Sequence, residues 1–110
     1  MKPCLPLLLI FALSLASPAF AKGNAGRGLK IAQGNCASCH AVGSTGDSTN
    51  PKSPPFRTLA QRYPLGDLEE SLGEGIMVGH EGPEMPTFAF SPGQIADLMA
   101  YLGAIQVKKR

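Results

Sequence analysis

The sequence predicts an all-α fold, and three observations carry that expectation. Nowhere do apolar and polar residues alternate with the period of two that marks a half-buried strand. Several short stretches instead place apolar residues at intervals of three and four, clearest in Ile95, Leu98, Met99, Leu102 and Ile105. The chain has no Trp and only two Tyr among 110 residues, so its own side chains make a thin core, and a domain this small commonly needs a disulfide, a metal or a cofactor as a staple.

Met1 and Lys2 precede an apolar run over residues 5–15, and Ala19-Phe20-Ala21 follows with the small-x-small pattern that signal peptidase accepts. Residues 1–21 are therefore expected to be a secretory signal peptide. A retained anchor fits less well, because the apolar stretch falls short of the roughly 20 residues that span a bilayer and contains Pro6 and Pro18. Cys4 lies ahead of the apolar run, not at the cleavage site where a lipid-bearing cysteine would sit. Removing 21 of the 110 residues leaves 89, residues 22–110, enough for one domain.

Within that domain the first helix is expected over residues 24–35, with Ala25, Leu29 and Ala32 on one face and Gly28 and Ile31 beside them. Gly26, Gly28 and Gly34 each cost a helix up to about 1 kcal/mol relative to Ala, so packing must hold it. Residues 41–55 are rich in Gly, Ser, Thr, Asn and Pro and read as a loop. Two short helices follow, over 56–63 with Phe56, Leu59 and Ala60 in register and over 65–73 with Leu65, Leu68 and Leu72. Asp67, Glu69 and Glu70 lie near the positive N-terminal end of the second. A Gly- and Pro-rich loop over 73–92 leads to the last helix, 92–106, announced by the capping box Ser91-Pro92-Gly93-Gln94.

Ten Lys and Arg, of which Lys2 lies in the leader, face eight Asp and Glu, leaving a mature net charge of +1 and excluding a strongly charged nucleic-acid binder. The distribution is uneven: residues 22–62 hold six bases and one acid, Asp47, whereas residues 63–107 hold seven acids and no Lys or Arg. The surface is expected to be bipolar.

Chemistry is carried by Cys36-Ala37-Ser38-Cys39-His40, a C-x-x-C-H motif and the signature of covalent c-type haem attachment. Two Cys three residues apart on a helical turn point the same way, so both thiols can add to the vinyl groups on one edge of a haem. His40 then falls below the ring, where a neutral imidazole nitrogen can bind iron. A thioredoxin-like dithiol would need a βαβ setting, and a zinc site would need four ligands.

Through CASCH, the mature chain resembles the monohaem class I cytochromes c of bacterial periplasms. The likeness extends to Gly28 eight residues before Cys36, to Ser53-Pro54-Pro55-Phe56, to Gly79-His80, to Met85-Pro86 with Phe88, and to Ala100-Tyr101-Leu102. Ala32 departs from it, since many members carry an aromatic residue there. The resemblance implies the cytochrome c fold, three to five short helices wrapped around one covalent haem c. Four side chains come into question as second axial ligand. Met99 belongs to the apolar stripe of the last helix and Met77 lies between Ile76 and Val78, so both read as packing residues. Met85 precedes Pro86, which biases it away from helix and into an extended loop, and the resemblance agrees in making Met85 the ligand; His80 is the runner-up, through bis-His ligation.

The resemblance further implies that a proline carbonyl, Pro54 or Pro55, accepts the Nδ1 proton of His40, and that Phe56, Leu59, Leu68, Phe88, Phe90 and Leu98 line the haem pocket. The expected function is soluble periplasmic electron transfer by one haem cycling between Fe(III) and Fe(II), with no catalytic residue. The partners are electron donor and acceptor proteins, met as a monomer or in transient complexes, without nucleic acid or a stable membrane anchor. A cytochrome subunit of a dehydrogenase and a haem-based binder of small ligands are the rival readings. The resemblance places the exposed haem edge beside the Met loop, which brings Glu81 and Glu84 close to Met85 and so favours a locally basic partner on that side.

Overall fold

A computed structural model of the chain describes residues 1–3, 22–75 and 85–108. The apolar leader run and its cleavage pattern, and likewise Met77, His80, Glu81 and Glu84, lie outside the described residues. Three α-helices and one 3₁₀ helix make up the described domain, which contains no strand.

Helix α1 spans Ala25–Asn35. Asn24 caps it, its side-chain oxygen accepting from the Arg27 backbone N–H at 2.8 Å, which satisfies one of the donors that a helix start leaves without an intrahelical acceptor. The expected two-turn helix after Pro55 is instead a 3₁₀ helix, Phe56–Gln61. Its first turn closes by Thr58 N–H donating to the Pro55 carbonyl at 3.0 Å, and the Thr58 hydroxyl donates to the same oxygen at 2.8 Å. The physical reason is confinement. Pro55 fixes an extended entry and Pro64 disfavours helical backbone at Tyr63, which leaves room only for the tighter i→i+3 pattern that short segments adopt.

Helix α2, Leu65–Glu74, begins after Pro64 and stops at Gly75, whose φ of 68° is left-handed and whose N–H closes onto the Ser71 carbonyl. A residue with a Cβ resists that conformation, so Gly75 ends the helix cleanly. Helix α3, Pro92–Ile105, starts with the full capping box: Ser91 Oγ accepts from Gln94 N–H at 3.2 Å and Gln94 Oε1 from Ser91 N–H at 2.9 Å.

The principal packing joins the two ends of the domain, α1 against α3. Gly28 makes this approach feasible: a Cβ there would overlap the Asp97 carbonyl and come within 2.7 Å of Tyr101 Cβ. Ala32 is wholly buried one turn further along. Small residues at both positions let the two backbones close in. The Tyr101 hydroxyl donates to the Val42 carbonyl, fastening α3 to the chain just beyond His40. Ala32, Cys36, Phe56, Leu59, Leu68, Leu98, Tyr101 and Leu102 form one core cluster, with Met99 packed at its edge as expected for a stripe residue.

Candidate haem site

The attachment motif forms the turn that follows α1. Cys36 N–H donates to the Ala32 carbonyl at 2.9 Å, and His40 N–H donates to the Cys36 carbonyl at 2.9 Å, a bond that closes the turn Cys36-Ala37-Ser38-Cys39-His40. Asn50 N–H then donates to the Cys39 carbonyl at 3.1 Å, folding the loop back beneath the motif. Cys36 is buried, Cys39 half-buried, and neither is in a disulfide. Burial pushes the Cys36 thiol up to about 11, so at neutral pH it is a protonated thiol in an apolar wall. A dithiol oxidoreductase needs the opposite, a thiolate of lowered pKa.

His40 is buried, and its Nδ1 lies 2.8 Å from the Pro54 carbonyl oxygen. A carbonyl only accepts, so Nδ1 carries the proton and Nε2 is the ring nitrogen whose lone pair can bind a metal. Of the two prolines that the resemblance offers for this bond, it is Pro54 that makes it. The Phe56 ring stands 5.0 Å from the His40 ring, tilted by 45°, and limits its rotation.

Two adjoining pockets have Cys36, His40, Met85 and Phe88 in common. The first is walled by Phe56, Leu59, Leu68, Phe90 and Leu98, and also by Tyr63, Leu72 and Leu102. The second adds Cys39, Asn50, Ser53 and Pro86 on its more polar side. All six pocket residues implied by the resemblance therefore line the space. Pro54 does not line it and serves through the carbonyl bonded to His40. Tyr63, Leu72 and Leu102 escaped the sequence reading, although Leu72 and Leu102 stand at helical spacing from Leu68 and Leu98.

The arrangement fits a haem on the chemistry of its donors. Both thiols and an oriented imidazole leave one turn of chain, a thioether borders the same space, and the remaining wall is apolar enough to enclose a macrocycle. A family model described as Cytochrome c matches residues 25–106. The chain belongs to the cytochrome c family. It is 29% identical over 100 residues to cytochrome c-552 of Bradyrhizobium diazoefficiens, covering 91% of this chain and 92% of that one. Cytochrome c6 of Gloeothece citriformis is 33% identical over 97 residues, 86% of this chain and 83% of its own length. A cytochrome c-553-like protein of Synechocystis is 33% identical over 81 residues, 74% and 69% of the two chains. Covalent haem c is the cofactor of the family, and Cys36, Cys39 and His40 have the spacing it requires.

One contact at the α1–α3 crossing had only a faint signal in the sequence. Asp97, in the largely apolar helix α3, is buried beside α1 and accepts from Asn24 N–H at 2.6 Å and from the Arg27 guanidinium at 2.8 and 3.1 Å. The Arg27 hydrogen bond, then the Asn24 amide, hold its carboxyl below the usual carboxylate range. An acid flanked by Ala96 and Leu98 was the clue that it has a fixed partner.

Proposed function

We propose that this chain is a soluble periplasmic electron carrier with one haem c, attached through Cys36 and Cys39 and ligated at iron by His40 and Met85. The observation that carries this reading is the shared cavity: His40, its Nδ1 proton donated to Pro54, and Met85 border the same two spaces as Cys36 and Phe88. Haem c supplies a one-electron Fe(III)/Fe(II) couple. The chain's own residues tune and insulate it. Met85 offers a soft thioether that favours Fe(II) relative to a second imidazole. The Pro54 bond raises the basicity of His40 and fixes its tautomer. Leu59, Leu68, Leu98 and Leu102 exclude water, which disfavours the extra charge of Fe(III).

The leader-like residues 1–21 support export, and no helix among the described residues is long and apolar enough to cross a membrane. The test is an absorbance spectrum of the purified holoprotein, oxidised and reduced. A pyridine haemochrome of the thioether type is expected, with a weak near-infrared sulfur-to-iron band in the ferric form. Absence of that band would exclude Met85 and bring His80 forward.

A further inference from the structure

Gln106, the residue that ends α3, is half-buried, and its side-chain amide is engaged at both ends. Nε2 donates to the Phe56 carbonyl at 2.6 Å and to the Leu102 carbonyl at 2.9 Å. Oε1 accepts from Ala60 N–H at 2.8 Å. The next residue adds a parallel backbone bond, Val107 N–H to the Arg57 carbonyl at 2.9 Å. The Leu102 bond is an ordinary helix-end contact. The other three cross to the 3₁₀ helix, some fifty residues away in sequence.

What they hold there is the segment that faces His40. Phe56 donates its N–H to the carbonyl of Ala41, the residue after His40, at 2.9 Å. Its ring packs on the His40 ring, and two residues earlier Pro54 accepts the Nδ1 proton. Residues 54–56 are thus gripped on one side by His40 and Ala41 and on the other by Gln106. Without the Gln106 amide, the Phe56 carbonyl would lose its donor from α3, and the Val107 bond to Arg57 would be the backbone tie left on that side.

We infer that Gln106 is a positioning residue for His40: by pinning the Phe56 carbonyl it fixes the segment that supplies both the hydrogen-bond acceptor and the ring face of the imidazole. The inference rests on His40 being an iron ligand. A well-aligned Nδ1–H···O=C bond gives the imidazole more anionic character, which favours Fe(III) and lowers the potential. Loosening residues 54–56 therefore raises the potential and frees the Nδ1 proton.

The experiment uses the holoprotein with two variants. Gln106→Leu removes every side-chain bond, whereas Gln106→Glu keeps the acceptor for Ala60 but turns an oxygen toward the Phe56 and Leu102 carbonyls. Both are expected to raise the midpoint potential and to speed solvent exchange of the His40 Nδ1 proton, read by NMR of the reduced protein, by about fivefold, the factor that one hydrogen bond commands. The near-infrared band should persist. Asp97→Asn serves as the control, since it weakens the fold at the α1–α3 crossing without touching residues 54–56. A potential and an exchange rate equal to the parent's in whichever Gln106 variant folds would overturn the inference, as would the same two changes in Asp97→Asn. The underlying ligand assignment is read separately: a parent spectrum unaltered by His40→Ala would reject His40 as ligand, whatever the Gln106 variants do.

Discussion

Arg27 on α1 and Asp97 on α3 meet through two hydrogen bonds, Nε to Oδ2 at 2.8 Å and Nη2 to Oδ1 at 3.1 Å. The Arg27 side chain remains 65% exposed while that of Asp97 is only 11% exposed. Solvent therefore screens the cation's side of the pair, and much of the contact's value lies in giving the enclosed carboxylate its donors, the Asn24 amide among them. This is the fork geometry in which a guanidinium specifies direction as well as charge.

Acid should undo that contact. Asp97 has a folded-state pKa below its unfolded value, so its contribution is fully present above the unfolded value of about 3.9 and is lost as pH falls through the lower folded value. The melting temperature of the holoprotein is expected to decline below about pH 4. Asp97→Asn should melt lower at neutral pH and show a shallower acid decline. Thermal melts across a pH series check both, and parallel profiles for the two proteins would count against it.

Gly28→Val should overpack the helix crossing. Its Cβ meets the Asp97 carbonyl and Tyr101 Cβ, neither of which is the free end of a flexible chain, so the helices must part. Overpacking typically costs about 1–3 kcal/mol, and in a domain of this size each 1 kcal/mol lowers the melting temperature by about 4–8 °C. A calorimetric or circular dichroism melt reads the shift directly.

Met85→Ala is expected to open the sixth coordination position. The ferric near-infrared band should vanish, and the ferrous protein should bind CO readily where the parent does not. Phe88 and Pro86 border the same space and remain, so the pocket should persist around the new site.

Single replacement of Cys36 or Cys39 by Ala should leave haem held through one thioether or lost, and the apoprotein should be largely unfolded. Cys36 belongs to the core cluster that the macrocycle completes. Denaturing electrophoresis with haem staining measures retention, and far-ultraviolet circular dichroism measures the helix content of what remains.

The helices and the site were readable to different degrees because they are written at different ranges. Ser91 to Gln94 and the apolar stripe behind them mark α3 within a few residues of chain, so its start fell where expected. Cys36, Cys39 and His40 carry their chemistry in their spacing. The 3₁₀ form of Phe56–Gln61 was not legible from Phe56, Leu59 and Ala60 alone, because Phe56 and Leu59 also stand in register on a tighter helix, and the two flanking prolines decided the outcome. Asp97 and Gln106 were missed for another reason: a polar residue names no partner, and theirs lie 70 and 50 residues distant.

The crossing at Gly28 also bears on how quickly the chain finds its fold. All-helical domains ordinarily fold fast because most of their contacts are local, whereas the principal packing here joins the first helix to the last. Asn24 and Asp97 are 73 positions apart. The entropy of closing so long a loop must be met before the contact returns anything, although each doubling of loop length adds only about 0.6 kcal/mol. Substitutions at the crossing should therefore divide between the two arms of a chevron according to whether the terminal helices dock before or after the rate-limiting step. A chain with the secondary structure of a helical bundle thus rests its principal packing on a contact of long sequence separation.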